Sequence, residues 1–291
     1  MGTLAASPAI DMAGAANVCE LGMVMSRHVG RTVPHDGYLF FGLDPVTGVA
    51  SFHDRSPGLG RRAGTGGFPG GDFGGEMRIT LTCGKLTWGG LVLLRGRDVR
   101  PFSAVEAARA ERLAGPLGAT LKRFLAVRPT CAPRPVAPGV VIVGADDAIS
   151  ATTPAGHDWL DGFGPAARSA GAFALLTHRA RRAPGPVLSR VPVAHGWSVV
   201  HVQRLDASLD DEIALTFQTA TASALLPVVA ALHDLTARER TVVEHAMAGL
   251  PAKQIARRLD LSPYTVNDHF KAVYRKVGVA GRDELLAALS G

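Results

Sequence analysis

The 291-residue chain is poor in cysteine, poor in charge and free of long apolar runs. Its three cysteines, Cys19, Cys83 and Cys131, lie far apart, form no Cys-x-x-Cys pair and have no histidine at ligand spacing. A disulfide framework and a zinc site are therefore not expected. The most apolar stretch, ASALLPVVAAL near Ala222 to Leu232, is broken by Pro227 and falls short of the roughly 18 to 20 apolar residues that span a bilayer. The opening MGTLAASPAIDMAG lacks a basic start and carries Asp11 where a secretory leader is apolar, and Ala6 stands where myristoylation requires Ser or Thr. Together these absences predict a soluble cytoplasmic protein without a membrane partner.

Chemical motifs are missing as well. There is no G-x-S-x-G, no H-E-x-x-H and no G-x-G-x-x-G, and Gly84-Lys85 has Ile79 where a phosphate-binding loop needs glycine. Asp146-Asp147 after VVIVGA imitates the acidic pair of a phosphoacceptor domain, but no aspartate ends a strand about forty residues later, so a hairpin turn is the better reading. His195 and His201, six residues apart, read as a satisfied structural pair rather than a metal site. The expectation is a protein that is not an enzyme and holds neither cofactor nor metal.

What the chain does have is enough apolar content, 47%, to bury a core, and enough length for two or three domains. Apolar residues at helical spacing predict a helix between about Ala13 and Arg31, ending before Pro34. YLFFGLDPVTGVASFH predicts a hairpin about Asp44 to Gly48. Gly58 to Gly75 carries nine glycines in eighteen positions and reads as a mobile loop. MRITLTCG and WGGLVLLRG predict a strand pair, the first alternating and the second apolar throughout. Ser103 and Glu106 form the signature of a capping box that opens a helix to about Val127.

RPTCAPRPVAPG, with four prolines in twelve residues, predicts a linker. Beyond it, GVVIVGADDAIS, helical material through Trp159 and Leu176, and the strands VLSRVPVA, WSVVHVQRL and EIALTFQ form a second α+β unit. Trp88, Trp159, Trp197, Phe40 and Phe41 are expected in cores, with the lining of a cavity the alternative for some of them, and no ligand residue is assigned. The boundaries read as 1–128, a linker 129–138, 139–219, a connecting helix 220–234, and a C-terminal domain 235–291.

Half of the chain's +6 charge excess lies in its last 56 residues, with nine basic and six acidic side chains, so any polyanion would meet the C-terminus. Four helix signals follow one another there. Thr236 with Glu239 makes a capping box, Gly249 suits a left-handed C-terminal position, and Ser262-Pro263 supplies an N-cap followed by proline at N1. From Pro263 to Lys276, Val266, Phe270, Val273 and Val277 occupy one face. Tyr264, Thr265, Asn267, Asp268, Lys271 and Arg275 occupy the other. A short helix, a tight turn and a helix presenting amide, carboxylate and ammonium groups suit major-groove reading. The solvated face of a small helical bundle would look the same at this level.

The segment resembles the LuxR-type helix-turn-helix. The resemblance rests on Leu235, Thr236, Arg238, Glu239, Val242, Gly249, Ile255, Ala256, Leu259, Leu261, Ser262, Thr265, Val266, His269, Lys276, Gly278 and Val279. It implies a four-helix all-α domain whose third helix enters the major groove of double-stranded DNA. Asn267, Asp268 and Lys271 would then meet base edges, Arg275 would lie on the same outward face, and Ser262, Thr265 and Lys276 would meet phosphates. Pro251 and Gly281 depart from the family's usual capping residues.

VPHDGYLFFGLDPVTG with WGGLVLLRG and PFSAVEAARAERLAGPLG resembles a GAF-type sensor domain. PGVVIVGADDAISATTPAG with WSVVHVQRL and EIALTFQ resembles a PAS-type domain of the same multidomain regulators. The resemblances together imply GAF-like and PAS-like α+β sensor domains ahead of the helix-turn-helix. They describe a transcription regulator acting as a homodimer and open to an unidentified small-molecule effector. The other reading is a small-molecule-binding or catalytic N-terminal module whose C-terminal domain mediates protein contacts.

Overall fold

A computed structural model describes residues 15, 17–56, 73–126, 137–163, 165–168, 171–193, 196–205 and 211–289. Most of the glycine-rich run, most of the proline-rich linker, Cys131 and His195 lie outside the described residues, and the expectations placed on them stay there.

The N-terminal sheet is antiparallel, in the order β2 (Ala50–Arg55), β1 (Gly37–Leu43), β4 (Leu86–Gly96), β3 (Phe73–Cys83). In β3, Met77, Ile79 and Leu81 are buried while their neighbours are not, whereas β4 is buried on both faces from Trp88 to Arg95, as alternating and saturated patterns require. β3 begins at Phe73, so the last three residues of the glycine-rich run are strand and not loop.

Helices α1 (Val18–Gly30) and α2 (Ala104–Ala126) pack on this sheet. They place Leu21, Met25, Leu117 and Leu121 against Phe40, Trp88, Leu91 and Leu93. α2 approaches closely because Gly118 has no Cβ; one built there would sit 2.2 Å from the Thr82 carbonyl oxygen. The helix opens with the expected capping box. Ser103 N–H donates to Glu106 at 2.9 Å, and Arg95 braces the same carboxylate at 2.5 Å. The Arg95 guanidinium, followed by the Ser103 donors, holds the Glu106 carboxyl down at about 2.

The second sheet runs β6 (Ile149–Thr152), β5 (Gly139–Val143), β9 (Ile213–Thr219), β8 (Gly196–Arg204), β7 (Val187–Val193), antiparallel throughout. Helices α3 (Pro154–Phe163) and α4 (Ala174–Arg182) cover it. Trp159 stacks on Phe217 with ring centroids 6.2 Å apart, and Phe163 and Phe173 fill the same core. Asp146 accepts from the Ala148 N–H within the hairpin turn, and Asp147, at φ +59°, is held by Thr177 and Arg181 at 2.8 Å each. The pair therefore builds a turn, as the missing strand-end aspartate implied.

The two sheets join edge to edge at β2 and β7, a junction absent from the sequence reading. Ser51 Oγ donates to the Arg190 carbonyl at 2.5 Å and Ser189 Oγ to the Ala50 carbonyl at 2.9 Å. Asp44, fully buried, accepts from both the Arg190 backbone N–H (3.0 Å) and its guanidinium (2.8 Å). Arg190 Nε also donates to Ala224 O in the first turn of α5 (Ala222–Leu232), at 2.5 Å. α5 is buried on two sides: Leu225, Val228 and Leu232 enter the N-terminal core, and Leu226 enters a cluster with the C-terminal helices. Among the described residues, no helix is long and apolar enough to cross a membrane.

His53, on β2 near this junction, is held at a pKa of about 4 by burial and then by the Arg55 charge, with a contact to the Gly171 backbone pulling the other way. The folded pKa lies below the unfolded one, so the stabilisation is present above about 6.5 and is lost as pH falls toward 4. Between pH 7 and 5.5 the loss should be about 1 kcal/mol. Urea midpoints at the two pH values should differ less in His53→Gln than in the unaltered chain; equal differences would refute the assignment.

Candidate nucleic-acid interface

Four helices close the chain: α6 (Ala237–Met247), α7 (Ala252–Leu259), α8 (Pro263–Val277) and α9 (Arg282–Leu289). Their ends are set by local chemistry. Thr236 and Glu239 form the reciprocal capping box on α6, and Gly249 turns the chain at φ +80°. α7 starts at Pro251 without a side-chain cap, as its departure from the family pattern predicts, and ends on Asp260 at φ +54°. Ser262 Oγ accepts from the Thr265 N–H at 3.0 Å, Pro263 occupies the first turn, and Gly278 closes α8 at φ +80°.

Val242, Ala246, Ile255, Ala256, Val266 and Phe270 make one buried cluster, and Val243, Val273, Leu285, Leu289 and Leu226 another. α8 therefore has its apolar residues consumed by α6, α7, α9 and α5. The face left over is open. Asn267, Asp268, Lys271 and Arg275 are exposed, and Tyr264 is 72% exposed. Lys271 lies 3.4 Å from Asp268 and 5.9 Å from the Tyr264 ring centroid, both surface contacts of small energy that leave the ammonium available.

Ser262 and Thr265 are placed together, their hydroxyls 2.9 Å apart at the amino end of α8. Lys276 is placed differently from the other six expected residues. Its Nζ donates to Glu239 at 2.7 Å and to the Asp234 carbonyl at 3.0 Å, and the side chain keeps 28% of its surface. Burial alone would raise the Glu239 carboxyl. The hydrogen bonds from Lys276 and from Thr236 outweigh it and hold the group below its usual value.

The sequence reading passed over Lys253, Arg257 and Arg258, three exposed cations on α7. The signal was present in KQIARR, where Ile255 and Ala256 turn inward and leave the cations outside.

Residues 233–288 match the luxR family of bacterial regulatory proteins. Over 53 residues, 18% of this chain and 6% of the relative, the sequence is 48% identical to a protein of Mycobacterium bovis named as an HTH-type transcriptional regulator. Over 73 residues, 21% of this chain and 34% of the relative, it is 38% identical to the nitrate/nitrite response regulator NarL of Escherichia coli K12. The Vibrio cholera VqmA–ligand–DNA complex shares 19% identity at a TM-score of 0.26, over 53% of this chain and 82% of that one. The chain spans about a third or less of the length of the two curated relatives.

The four helices, their caps and the open face of α8 define a helix-turn-helix domain. Within that class, residues 233–288 are a LuxR-type domain of the bacterial regulatory proteins.

Proposed function

We propose that the chain is a DNA-binding transcription regulator of the cytoplasm that reads the major groove with α8. The observation that carries this reading is the exposed polar face of α8, rigidly backed by two apolar clusters within a LuxR-type domain. Asn267, Asp268 and Lys271 meet base edges, with Arg275 beside them, and Ser262 and Thr265 meet phosphates. Lys276 has three N–H donors, two of them engaged by Glu239 and Asp234, which leaves one for a phosphate. The units upstream, with the boundaries given above, act as GAF-like and PAS-like sensors that regulate and do no chemistry.

One such domain contacts few base pairs, so the functional species is a homodimer on an inverted repeat. The test is selection of random duplex DNA on the purified full chain. The full chain is the right reagent because a cut at Leu225 would divide α5, whose residues serve both neighbouring cores. Enrichment of two half-sites related by a two-fold axis, bound by two chains, is expected. Recovery of no preferred sequence, or a single unrepeated half-site held by one chain, would overturn the reading.

A further inference from the structure

A cleft of about 370 Å³ opens where the β3–β4 turn and α2 face the junction of α5 and α6. Its volume falls in the range of small-molecule sites. Trp88 and Lys122 line it from the N-terminal unit, Asp234 and Leu235 from the junction, and Leu86 and Ala230 add apolar surface.

Two observations point to a ligand. Trp88 is fully buried, yet its indole N–H has no acceptor among the described residues, a state that buried indoles seldom keep. Lys122 is only 14% exposed and its ammonium lies 5.9 Å from the Trp88 ring centroid. Its hydrogen-bond partner is Asp234, at 2.6 Å, whose side chain is 80% exposed. A half-buried cation whose partner is a solvent-swept carboxylate gains little from that pair, so another anion can take its place.

We propose that this cleft binds a small organic carboxylate. Its oxygens accept from the Trp88 N–H and take Lys122 from Asp234, while its apolar body rests on Leu86, Ala230 and Leu235. Asp234 stands at φ +51° in the joint between α5 and α6, and its carbonyl holds Lys276 on α8. Loss of the Lys122–Asp234 pair therefore reaches the reading helix and changes DNA affinity, reciprocally with carboxylate affinity. That consequence rests on the DNA-binding reading; carboxylate binding itself does not.

The experiment uses the ¹⁵N-labelled full chain, whose three tryptophans give three indole signals, that of Trp88 being the one absent from Trp88→Phe. Benzoate and indole-3-acetate are titrated in, with benzyl alcohol as the uncharged control. The Trp88 signal should shift with the carboxylates and not with the alcohol. Lys122→Met should abolish saturation. Asp234→Asn, at an exposed position, should tighten binding by roughly two- to five-fold, the size of an exposed ion pair.

A Trp88 signal unmoved by both carboxylates up to about 10 mM would overturn the proposal, since fragment-sized ligands bind in the millimolar range. So would unchanged or weaker binding by Asp234→Asn, which holds even if Lys122→Met does not fold. Carboxylate binding with DNA affinity unaltered would uphold the cleft and overturn the coupling.

Discussion

Replacing Asp44 with alanine should lower folding stability by about 3 to 5 kcal/mol, because it strands a buried guanidinium and a buried backbone N–H together. Asp44 Oδ2 receives both Arg190 groups, while Oδ1 accepts from the Val46 N–H at 2.8 Å and so shapes the turn after β1. The thermal midpoint of the full chain should fall by on the order of 10 °C. Asp44→Leu with Arg190→Met should recover part of that loss, since a buried ion pair replaced by packed apolar groups is often close to neutral. A fall of less than a few degrees in Asp44→Ala would show that the β2–β7 junction does not hold the two sheets together.

The same residues show where sequence reading stops. Asp44 was legible as a turn former, because Asp-Pro-x-x-Gly has a local meaning that needs no partner. Nothing local announces that its second oxygen serves Arg190, 146 positions away. Capping boxes at Ser103 and Thr236 and the inward face of α8 were legible for the same reason: their signals are three or four residues long. The alternation of β3 predicted its buried face without naming α2 as the cover.

Lys276 marks the boundary between the two kinds of knowledge. Its position near the end of α8 was readable, but its bond to Glu239 depends on how α6 crosses α8. α5 shows the limit from the other side. A Pro-broken apolar run too short to span a bilayer folds as an 11-residue helix, yet only the packing reveals two separate cores competing for its faces.

That difference in what Lys276 touches sharpens the contrast with Asn267 and Asp268. The latter two are exposed on α8 with no element over them among the described residues, so replacing either by alanine should leave thermal stability within about 0.5 kcal/mol. Each should relax preference by about 1 to 3 kcal/mol at one base pair, Asp268 at a cytosine whose amino group donates to its carboxylate. Lys276→Ala should act otherwise. It removes a hydrogen-bond partner that offsets the burial of the Glu239 carboxylate beside the α6 cap, so the thermal midpoint falls along with affinity for every sequence. The salt slope should shrink by about one unit, since one phosphate contact releases about 0.9 counterion. The decisive data are affinities for a panel of single-base operator variants at two salt concentrations, with melting curves for each protein. Uniform weakening across the panel by both Asn267→Ala and Asp268→Ala would mean that α8 does not lie in the groove as proposed. An unchanged salt slope with a lowered melting point in Lys276→Ala would confine that side chain to bracing Glu239, and the phosphate on that side would then belong to a neighbouring cation such as Arg275.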